Sequence, residues 1–195
     1  MKNEIIDKAK KTIKFGEFKS EKPLAILLMG LPGTGKSYLA NYLNKKYSFT
    51  VLSGENITHA IFGTIDCTSD QYGEAYGILH YLAINLLKKK YNIIIDGTNL
   101  KYEFRKQYYN TFQDTSKTIL IYLYNKDEVL LKRANIRKED YNNSKMIISK
   151  CPPETFATFK KQLELPQKNE KYYQVKSDKK LFEKIDTIIT NIMKE

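Results

Sequence analysis

The segment GLPGTGKS, residues 30–37, constrains the possible folds of this chain more than any other stretch. It follows the apolar run LAILLM and precedes a helical pattern, which is the strand–loop–helix setting of the phosphate-binding pattern G-x-x-x-x-G-K-[ST]. Gly33 and Gly35 allow backbone N–H groups to turn inward around an anion. Lys36 can reach the β- and γ-phosphates of ATP, and the Ser37 hydroxyl can ligate Mg²⁺. The residues predicted to surround the nucleotide phosphates are Leu31, Pro32, Gly33, Thr34, Gly35, Lys36, Ser37 and Tyr38.

The apolar runs of the chain indicate a parallel sheet. They are continuous rather than alternating, which is typical of strands buried on both faces, and helical patterns separate them. We therefore predict an α/β fold of the three-layer P-loop NTPase type in a single domain, with about five parallel strands and helices on both faces. The predicted domain spans residues 1–195, and its predicted strands are 24–29, 49–52, 92–96, 118–124 and 172–175. The predicted helices are 37–47, 70–90, 101–113, 126–135, 154–163 and 178–193.

The composition and the N-terminal sequence indicate which bound groups and which cellular compartment to expect for such a domain. The two cysteines, Cys67 and Cys151, form no CxxC pair, so neither a disulfide framework nor a zinc site is expected. Three of the 33 basic residues are arginine, and the net charge of +11 is interpreted as solvated lysines in preference to a polyanion-binding face. Residues 1–20 are predicted to be a helical extension. They carry no signal-peptide pattern, and no later run is long enough to span a membrane, so we expect a soluble cytoplasmic protein without a membrane partner.

Asp96 ends the third predicted strand, in the segment NIIIDGTNL. A carboxylate at the C-terminal tip of a buried strand faces the ligand crevice of an open α/β sheet. It is therefore the candidate that holds Mg²⁺ together with Ser37, directly or through a bound water. The alternative is that Asp96 or Asn99 caps the turn or helix that follows.

Two other classes of nucleotide enzyme fit the residues less well. The NKDE segment resembles the guanine-reading pattern N-K-x-D, but Glu128 stands at its fourth position, and a helix cap at Asn125 or Asp127 explains it equally. A motor-type or AAA+ ATPase usually needs a glutamate beside the strand-end aspartate to activate water. Here Gly97 follows Asp96, so transfer to an acceptor is favoured over hydrolysis.

Arg133 and Arg137 lie four residues apart, so a helix would place both on one face. A charged segment follows, and we predict a lid over about residues 136–152 whose arginines close over the transferring phosphoryl group. Such an arginine contributes about 10³–10⁵ in rate, whereas a surface ion pair with Glu139 or Asp140 would contribute about 0–1 kcal/mol. Arg133 is also expected to contact the nucleotide.

Taken together, GLPGTGKS, LSGENI…IFG, IIIDGTNL…R, LLKRAN..R and QLELP…E resemble the polynucleotide-kinase-like P-loop kinases over about residues 24–170. Zeta toxins and small-molecule kinases are similar at a greater distance. The resemblance implies transfer of the ATP γ-phosphate to an acceptor hydroxyl, which in the polynucleotide kinases is a 5′-hydroxyl of DNA or RNA. It also implies acceptor binding by Thr98, Asn99 and Arg105, although Arg105 has an alternative role as the anchor of a helix.

The loop expected after the second strand departs from that family at two positions. The family pattern S-x-D-x-x-R supplies an aspartate as general base and an arginine that grips the acceptor's neighbouring phosphate. Here Glu55 stands at the aspartate position and Thr58 at the arginine position. A glutamate is a competent base that is one methylene longer, whereas a threonine cannot replace a charge-assisted phosphate clamp. We therefore predict Glu55 as the general base and place Thr58 on the acceptor side.

The leading functional hypothesis is an ATP- and Mg²⁺-dependent kinase. Its acceptor is an alcohol on a small molecule, a nucleoside or the 5′ end of a nucleic acid. One alternative is an ATP-binding switch or interaction protein without productive transfer, motivated by the missing arginine at position 58. Another is a toxin-like kinase that acts on a cell-wall sugar nucleotide. The predicted catalytic residues are Lys36, Glu55, Asp96, Arg133 and Arg137.

Overall fold

The computed structural model describes residues 2–140 and 151–194, and its description of side chains leaves out Lys2 and residues 135–140. The described residues form eight helices and one five-stranded sheet, whose strands are all parallel and follow the order β2-β3-β1-β4-β5. The strands are β1 (Leu24–Met29), β2 (Thr50–Ser53), β3 (Ile93–Asp96), β4 (Lys117–Tyr124) and β5 (Tyr172–Lys176). The helices are α1 (Lys2–Lys10), α2 (Lys36–Tyr47), α3 (Gly54–Phe62), α4 (Ser69–Lys88), α5 (Tyr102–Phe112), α6 (Asp127–Asp140), α7 (Pro153–Lys161) and α8 (Leu181–Lys194).

The predicted α/β fold is confirmed, because each of the five strands begins and ends within a residue of its expected position. Strands β1, β2 and β3 are buried at every residue, which explains why their sequences are apolar without alternation. Helices pack on both faces of this sheet, as a three-layer fold requires. The continuous apolar runs were therefore a reliable signal for strands.

The segment after β2 is a helix, and the prediction of a loop there is wrong. Ser53 caps α3, since its hydroxyl accepts a hydrogen bond from the Asn56 N–H at 3.4 Å. Gly63 ends the helix in the left-handed conformation, with φ at 74°. Serine at the start and glycine after the end are the ordinary boundary signals of a helix. Glu55 therefore lies in the first turn of a helix.

Two apolar cores hold the sheet between its helices. On one face, residues of α1, α3, α4 and α5 pack against the sheet, and on the other face α2 and α8 do so. The second core is closed by one apolar stripe of α8, formed by Leu181, Ile185, Ile189 and Ile192. Because the strands are parallel, the carboxyl ends of β1, β2 and β3 lie at one end of the sheet, which is where ligands bind in open α/β sheets.

A third, smaller apolar cluster joins α6 and α7 to the phosphate-binding loop. Leu31 of that loop packs with Leu130 and Ala134 of α6, and with Cys151 and Phe156 around α7. The predicted lid begins inside α6, which continues to residue 140, and most of the remainder lies outside the described residues. The cluster therefore fixes both described flanks of the lid segment against the phosphate-binding loop.

The chain before β1 is helical only at its start. After α1 it runs beside β2, where Lys14 and Val51 form an isolated antiparallel bridge. Because β2 is the outermost strand at that side, this segment covers an edge that would otherwise expose unpaired backbone groups. Among the described helices, none combines the length and apolar character needed to cross a membrane.

Candidate functional site

The phosphate-binding loop has the shape that its glycines predict. Gly33 and Gly35 adopt φ values of 83° and 88°. A Cβ at Gly33 would lie 2.4 Å from the Leu130 carbonyl oxygen, so this glycine permits a close approach of α6. A Cβ at Gly35 would meet nothing within 4 Å, so the loop is open on that side. Thr34 holds the turn from within, as its hydroxyl donates to the Leu31 carbonyl at 2.8 Å.

Lys36 and Ser37 open helix α2 directly behind this loop. The Lys36 ammonium donates to the carbonyl oxygens of Gly30 at 2.9 Å and Leu31 at 3.1 Å, which keeps it folded over the loop. The N-terminus of α2 directs backbone N–H groups and the positive end of the helix dipole toward the same space. The arrangement combines a cation, N–H donors and an open cradle, which together fit a phosphate chain.

One cavity joins the phosphate-binding side of the sheet to the predicted general base. It has a volume of about 240 Å³, and its walls include Ser37, Glu55 and Asp96. Parallel pairing explains why these groups meet, because Ser53 at the end of β2 is in register with Asp96 at the end of β3. Glu55 follows Ser53 by two residues and is exposed in the first turn of α3. The structure therefore brings together three predicted residues that are far apart in the sequence.

The residues at the carboxyl end of the sheet also fit a divalent cation. Ser37 and Asp96 offer a hydroxyl and a carboxylate, the oxygen ligands that Mg²⁺ prefers. Among the side chains described, those of residues 3–134 and 151–194, no group of three or more histidine, cysteine, aspartate or glutamate residues forms a metal site. A cation at this edge would therefore take its other ligands from nucleotide phosphates and water, as Mg²⁺ does in phosphoryl-transfer sites.

Tyr76 of helix α4 lies beside the ends of β2 and β3, and no sequence motif marks it. A Cβ at Gly54 would lie 2.9 Å from the Tyr76 hydroxyl oxygen, and one at Gly97 would lie 3.5 Å from it. The hydroxyl thus occupies a slot that two glycines leave open. Burial and the nearby charge of Glu55 raise the pKa of Tyr76, with a smaller contribution from Asp96. The phenol is therefore a protonated donor at neutral pH.

Thr58 and Asn99, predicted to bind the acceptor, are instead buried. Thr58 has no exposed surface, and its hydroxyl donates to the Gly54 carbonyl at 2.8 Å. The Asn99 side-chain amide donates to the Leu28 carbonyl at 2.7 Å and is 5% exposed. The Thr58 contact lies within α3, whereas the Asn99 contact ties the segment after β3 to β1. Both side chains are buried and so offer almost no surface to an acceptor. Thr98 is half-buried, and its carbonyl accepts a hydrogen bond from the Gly30 N–H.

Arg105 is also withdrawn from the candidate site. Its side chain is completely buried and forms a paired contact with Glu170, with Nε–Oε1 and Nη2–Oε2 distances of 2.7 and 2.9 Å. Nη1 donates to the carbonyl oxygens of Asn99 and Leu100. Tyr109 donates to the same carboxylate at 2.8 Å. Of the two roles considered for Arg105, the structure supports the anchoring of α5 and argues against contact with an acceptor.

Arg133 lies on the opposite side of the phosphate-binding loop from Glu55. Its guanidinium donates to the hydroxyl and the carbonyl oxygen of Ser177, each at 2.9 Å. Ser177 directly follows β5, and its carbonyl also accepts a hydrogen bond from Asn125 at 2.8 Å. Asn125 therefore has a structural role at the end of β4. The Arg137 side chain lies outside the described residues, so its predicted position in the lid stays a prediction.

Residues 26–166, well over half of the chain, match the model of a family described as an AAA domain, AAA_33. The chain belongs to this family. The family is named after AAA domains, but in this sequence Gly97 follows Asp96 at the position where a hydrolytic ATPase usually has a glutamate. Among curated protein sequences, none matches this chain.

Solved structures with the same fold include several kinases. A gluconokinase from Sinorhizobium meliloti 1021 has a TM-score of 0.64 at 18% identity, covering 90% of this chain and 94% of that one. A chain of the Pnkp1/Rnl/Hen1 RNA repair complex has a TM-score of 0.62 at 22% identity, covering 75% and 46%. A chain of the PezAT toxin–antitoxin system of Streptococcus pneumoniae has a TM-score of 0.61 at 19% identity, covering 73% and 63%. With the family match, these shared folds confirm the predicted resemblance to P-loop kinases.

Proposed function

We propose that this protein is an ATP- and Mg²⁺-dependent kinase that transfers the γ-phosphate of ATP to an acceptor hydroxyl. The observation that carries the proposal is the cavity in which Ser37, Asp96 and Glu55 share one space at the end of the sheet. A phosphate cradle, a pair of oxygen ligands for a cation and a carboxylate on the acceptor side are the three parts that phosphoryl transfer requires.

The reaction needs one proton acceptor and one leaving group. Glu55 takes the proton of the acceptor hydroxyl, and the acceptor oxygen forms a bond to the γ-phosphorus. The bond from that phosphorus to the β,γ-bridging oxygen breaks, and ADP leaves with the electron pair. Mg²⁺ bound by Ser37 and Asp96 would supply positive charge beside the phosphate oxygens. Lys36 and the N-terminal N–H groups of α2 hold the phosphates in line for the transfer.

The remaining predicted residues have supporting roles in this proposal. Arg133, which donates to Ser177, is proposed to bind the nucleotide on the side away from Glu55. Arg137 is proposed as the lid residue that closes over the transferring group. The Tyr76 phenol is a hydrogen-bond donor near Glu55 and Asp96 and is proposed to orient the acceptor oxygen. Gly97 in place of a glutamate disfavours activation of water, which keeps the proposed reaction a transfer.

The test is transfer of labelled phosphate from ATP to a panel of alcohols. The panel contains gluconate, nucleosides and 5′-hydroxyl oligonucleotides, because the similar folds include a gluconokinase and an RNA repair complex. Glu55→Gln should lower kcat about 10²–10⁴-fold, the usual contribution of a general base, while ATP binding is retained. Glu103→Gln, an exposed glutamate on α5, is the matched control. Unchanged transfer by the Glu55 variant would contradict the assignment of the base.

A switch without transfer is the second candidate, and the buried Thr58 favours it because α3 lacks the arginine of the family pattern. It predicts tight ATP binding, no transfer to any alcohol in the panel, and binding of a partner that depends on ATP. The toxin-like alternative predicts growth arrest on expression that Lys36→Ala relieves. Transfer to a panel member without growth arrest would favour the kinase proposal over both.

A further inference from the structure

The segment between α1 and β1 is built to lie against β2. The backbone N–H of Lys14 donates to the Val51 carbonyl at 3.1 Å, and the Val51 N–H donates back to the Lys14 carbonyl at 2.9 Å. A Cβ at Gly16 would lie 2.0 Å from the Ser48 carbonyl oxygen, so only glycine allows the chains to approach this closely. The backbone at Lys14 is therefore held in place independently of the Lys14 side chain.

This placement makes Lys14 a wall of the candidate active-site cavity. Thr12 and Lys14 line the same 240 Å³ space as Ser37, Glu55 and Asp96. Among the described residues that line it, Lys14 is the one cation, and it faces a cavity with two carboxylates. The family match begins at residue 26, so Thr12 and Lys14 lie outside the matched region.

The Lys14 charge is oriented without being neutralised. Its ammonium donates to the Asn41 side-chain oxygen at 2.7 Å, and Asn41 also lines the cavity. In the part of the chain that the structure describes, Lys14 makes no ion pair with a carboxylate. A neutral amide fixes the direction of the ammonium and leaves its charge available to an anion, for which charge-assisted hydrogen bonds are the strong ones.

We infer that Lys14 binds a negatively charged group of the acceptor, and that the acceptor is an alcohol carrying a phosphate or a carboxylate. The inference rests on the proposed function and names the substrate class of its acceptor site. Position 58, where the resembling family has a phosphate-gripping arginine, holds a buried threonine, so α3 does not supply this charge. Lys14 supplies a cation to the same cavity from a different segment. The small cavity volume suits a compact polar acceptor.

Paired acceptors test the inference during turnover. Gluconate is compared with glucose, and adenosine 3′-monophosphate with adenosine, so that one member of each pair is neutral and the anions differ in chemistry. Lys14→Gln should raise KM for the anionic member of a productive pair about 10–100-fold and leave kcat and the neutral member nearly unchanged. Lys14→Arg should retain most of the affinity. Lys11→Gln, an exposed lysine just before the segment, is the control and should change neither.

Binding without turnover keeps the inference testable when no pair is phosphorylated. Gluconate and adenosine 3′-monophosphate are titrated by calorimetry into the protein with Mg²⁺ and a non-hydrolysable ATP analogue. Weakened binding of one of them by Lys14→Gln, with an unchanged melting temperature, supports the inference even if transfer fails, in which case only the proposed function falls. Equal loss for anionic and neutral members, or binding that does not depend on Lys14 for either anion, overturns it.

Discussion

Arg105 and Arg133 are two of the three arginines of the chain, and their surroundings differ. Arg133 was predicted to contact the nucleotide, and Arg105 either to bind the acceptor or to anchor a helix. Arg105 is buried without exposed surface, and its guanidinium donates to a carboxylate and to three backbone carbonyls. Arg133 is half-buried, and both of its hydrogen bonds go to Ser177, which has no charge. The charge of Arg105 is paired inside the fold, whereas the hydrogen bonds of Arg133 to Ser177 leave its charge without a carboxylate partner among the described residues.

The comparison shows that the small number of arginines in the chain does not indicate whether each one binds a ligand or stabilises the fold. A buried guanidinium must have its charge and its donors satisfied by the protein itself, so it holds elements together and cannot turn to a ligand. A partly exposed guanidinium tied by neutral acceptors can exchange them for a phosphate, which binds it more strongly. Three predictions separate these two roles.

The largest effect is expected for Arg105→Ala. Removing one partner of a buried pair leaves Glu170 without its counter-charge, and we expect a loss of about 3–5 kcal/mol in the free energy of unfolding. Urea denaturation measures this loss, and Lys106→Ala, at the exposed neighbouring position, is the control. If the variant loses phosphoryl transfer but keeps its full stability, Arg105 acts in substrate binding and not as a structural anchor.

A smaller effect of a different kind is expected for Arg133→Ala. Its contacts are partly exposed, so stability should change by less than about 1 kcal/mol. Loss of a charged hydrogen bond to the nucleotide should weaken ATP binding by about 1.5–3 kcal/mol, which is roughly 10–100-fold in Kd. Titration with a labelled ATP analogue checks this, with Lys132→Ala as the control. Unchanged ATP affinity together with a large loss of stability would make Arg133 a second fold anchor.

The smallest effect concerns the pH dependence of the buried pair. Burial by itself would raise the pKa of Glu170, but hydrogen bonds from Arg105, Gln167 and Tyr109 outweigh it and hold the pKa below its ordinary value. The stabilisation is therefore present above the unfolded glutamate pKa of about 4.3 and is lost as the pH falls through the lower folded value.

Unfolding in urea at about pH 6 and about pH 3.5 measures this dependence. Glu170→Gln should remove part of the stability difference between the two conditions, because the amide cannot titrate. An identical difference in the variant and the native chain would show that Glu170 contributes nothing to acid destabilisation. It would also weaken the view of Arg105 as the partner of an ionised carboxylate.

The nucleotide side of the site was predictable because its parts are close together in the sequence. The glycines, Lys36 and Ser37 occupy eight consecutive residues, and their spacing sets the loop geometry directly. Asp96 was found from its position at the end of an apolar run. Helix α3 could have been found as well, since Ser53 and Gly63 are ordinary start and stop signals.

The acceptor side was not predictable in the same way. Tyr76 and Lys14 carry no local pattern that marks them. Lys14 lines the cavity only because the segment before β1 pairs with Val51. Tyr76 comes close to Gly54 and Gly97 only because α4 packs on β2 and β3. Conversely, Thr58, Asn99 and Arg105 occupy motif positions but turn inward to satisfy backbone carbonyls or a carboxylate. Motif position alone therefore did not indicate whether a side chain faces a ligand.

The sequence by itself determined that this chain forms a parallel α/β sheet with a phosphate-binding loop and a carboxylate at a neighbouring strand end. These features follow from short-range spacing, in which each residue's neighbours in sequence are its neighbours in space. Only the tertiary structure decided which side chains line the candidate cavity and which are buried. That decision depends on contacts between residues far apart in the chain, since burial forces a polar group to find a partner within the protein.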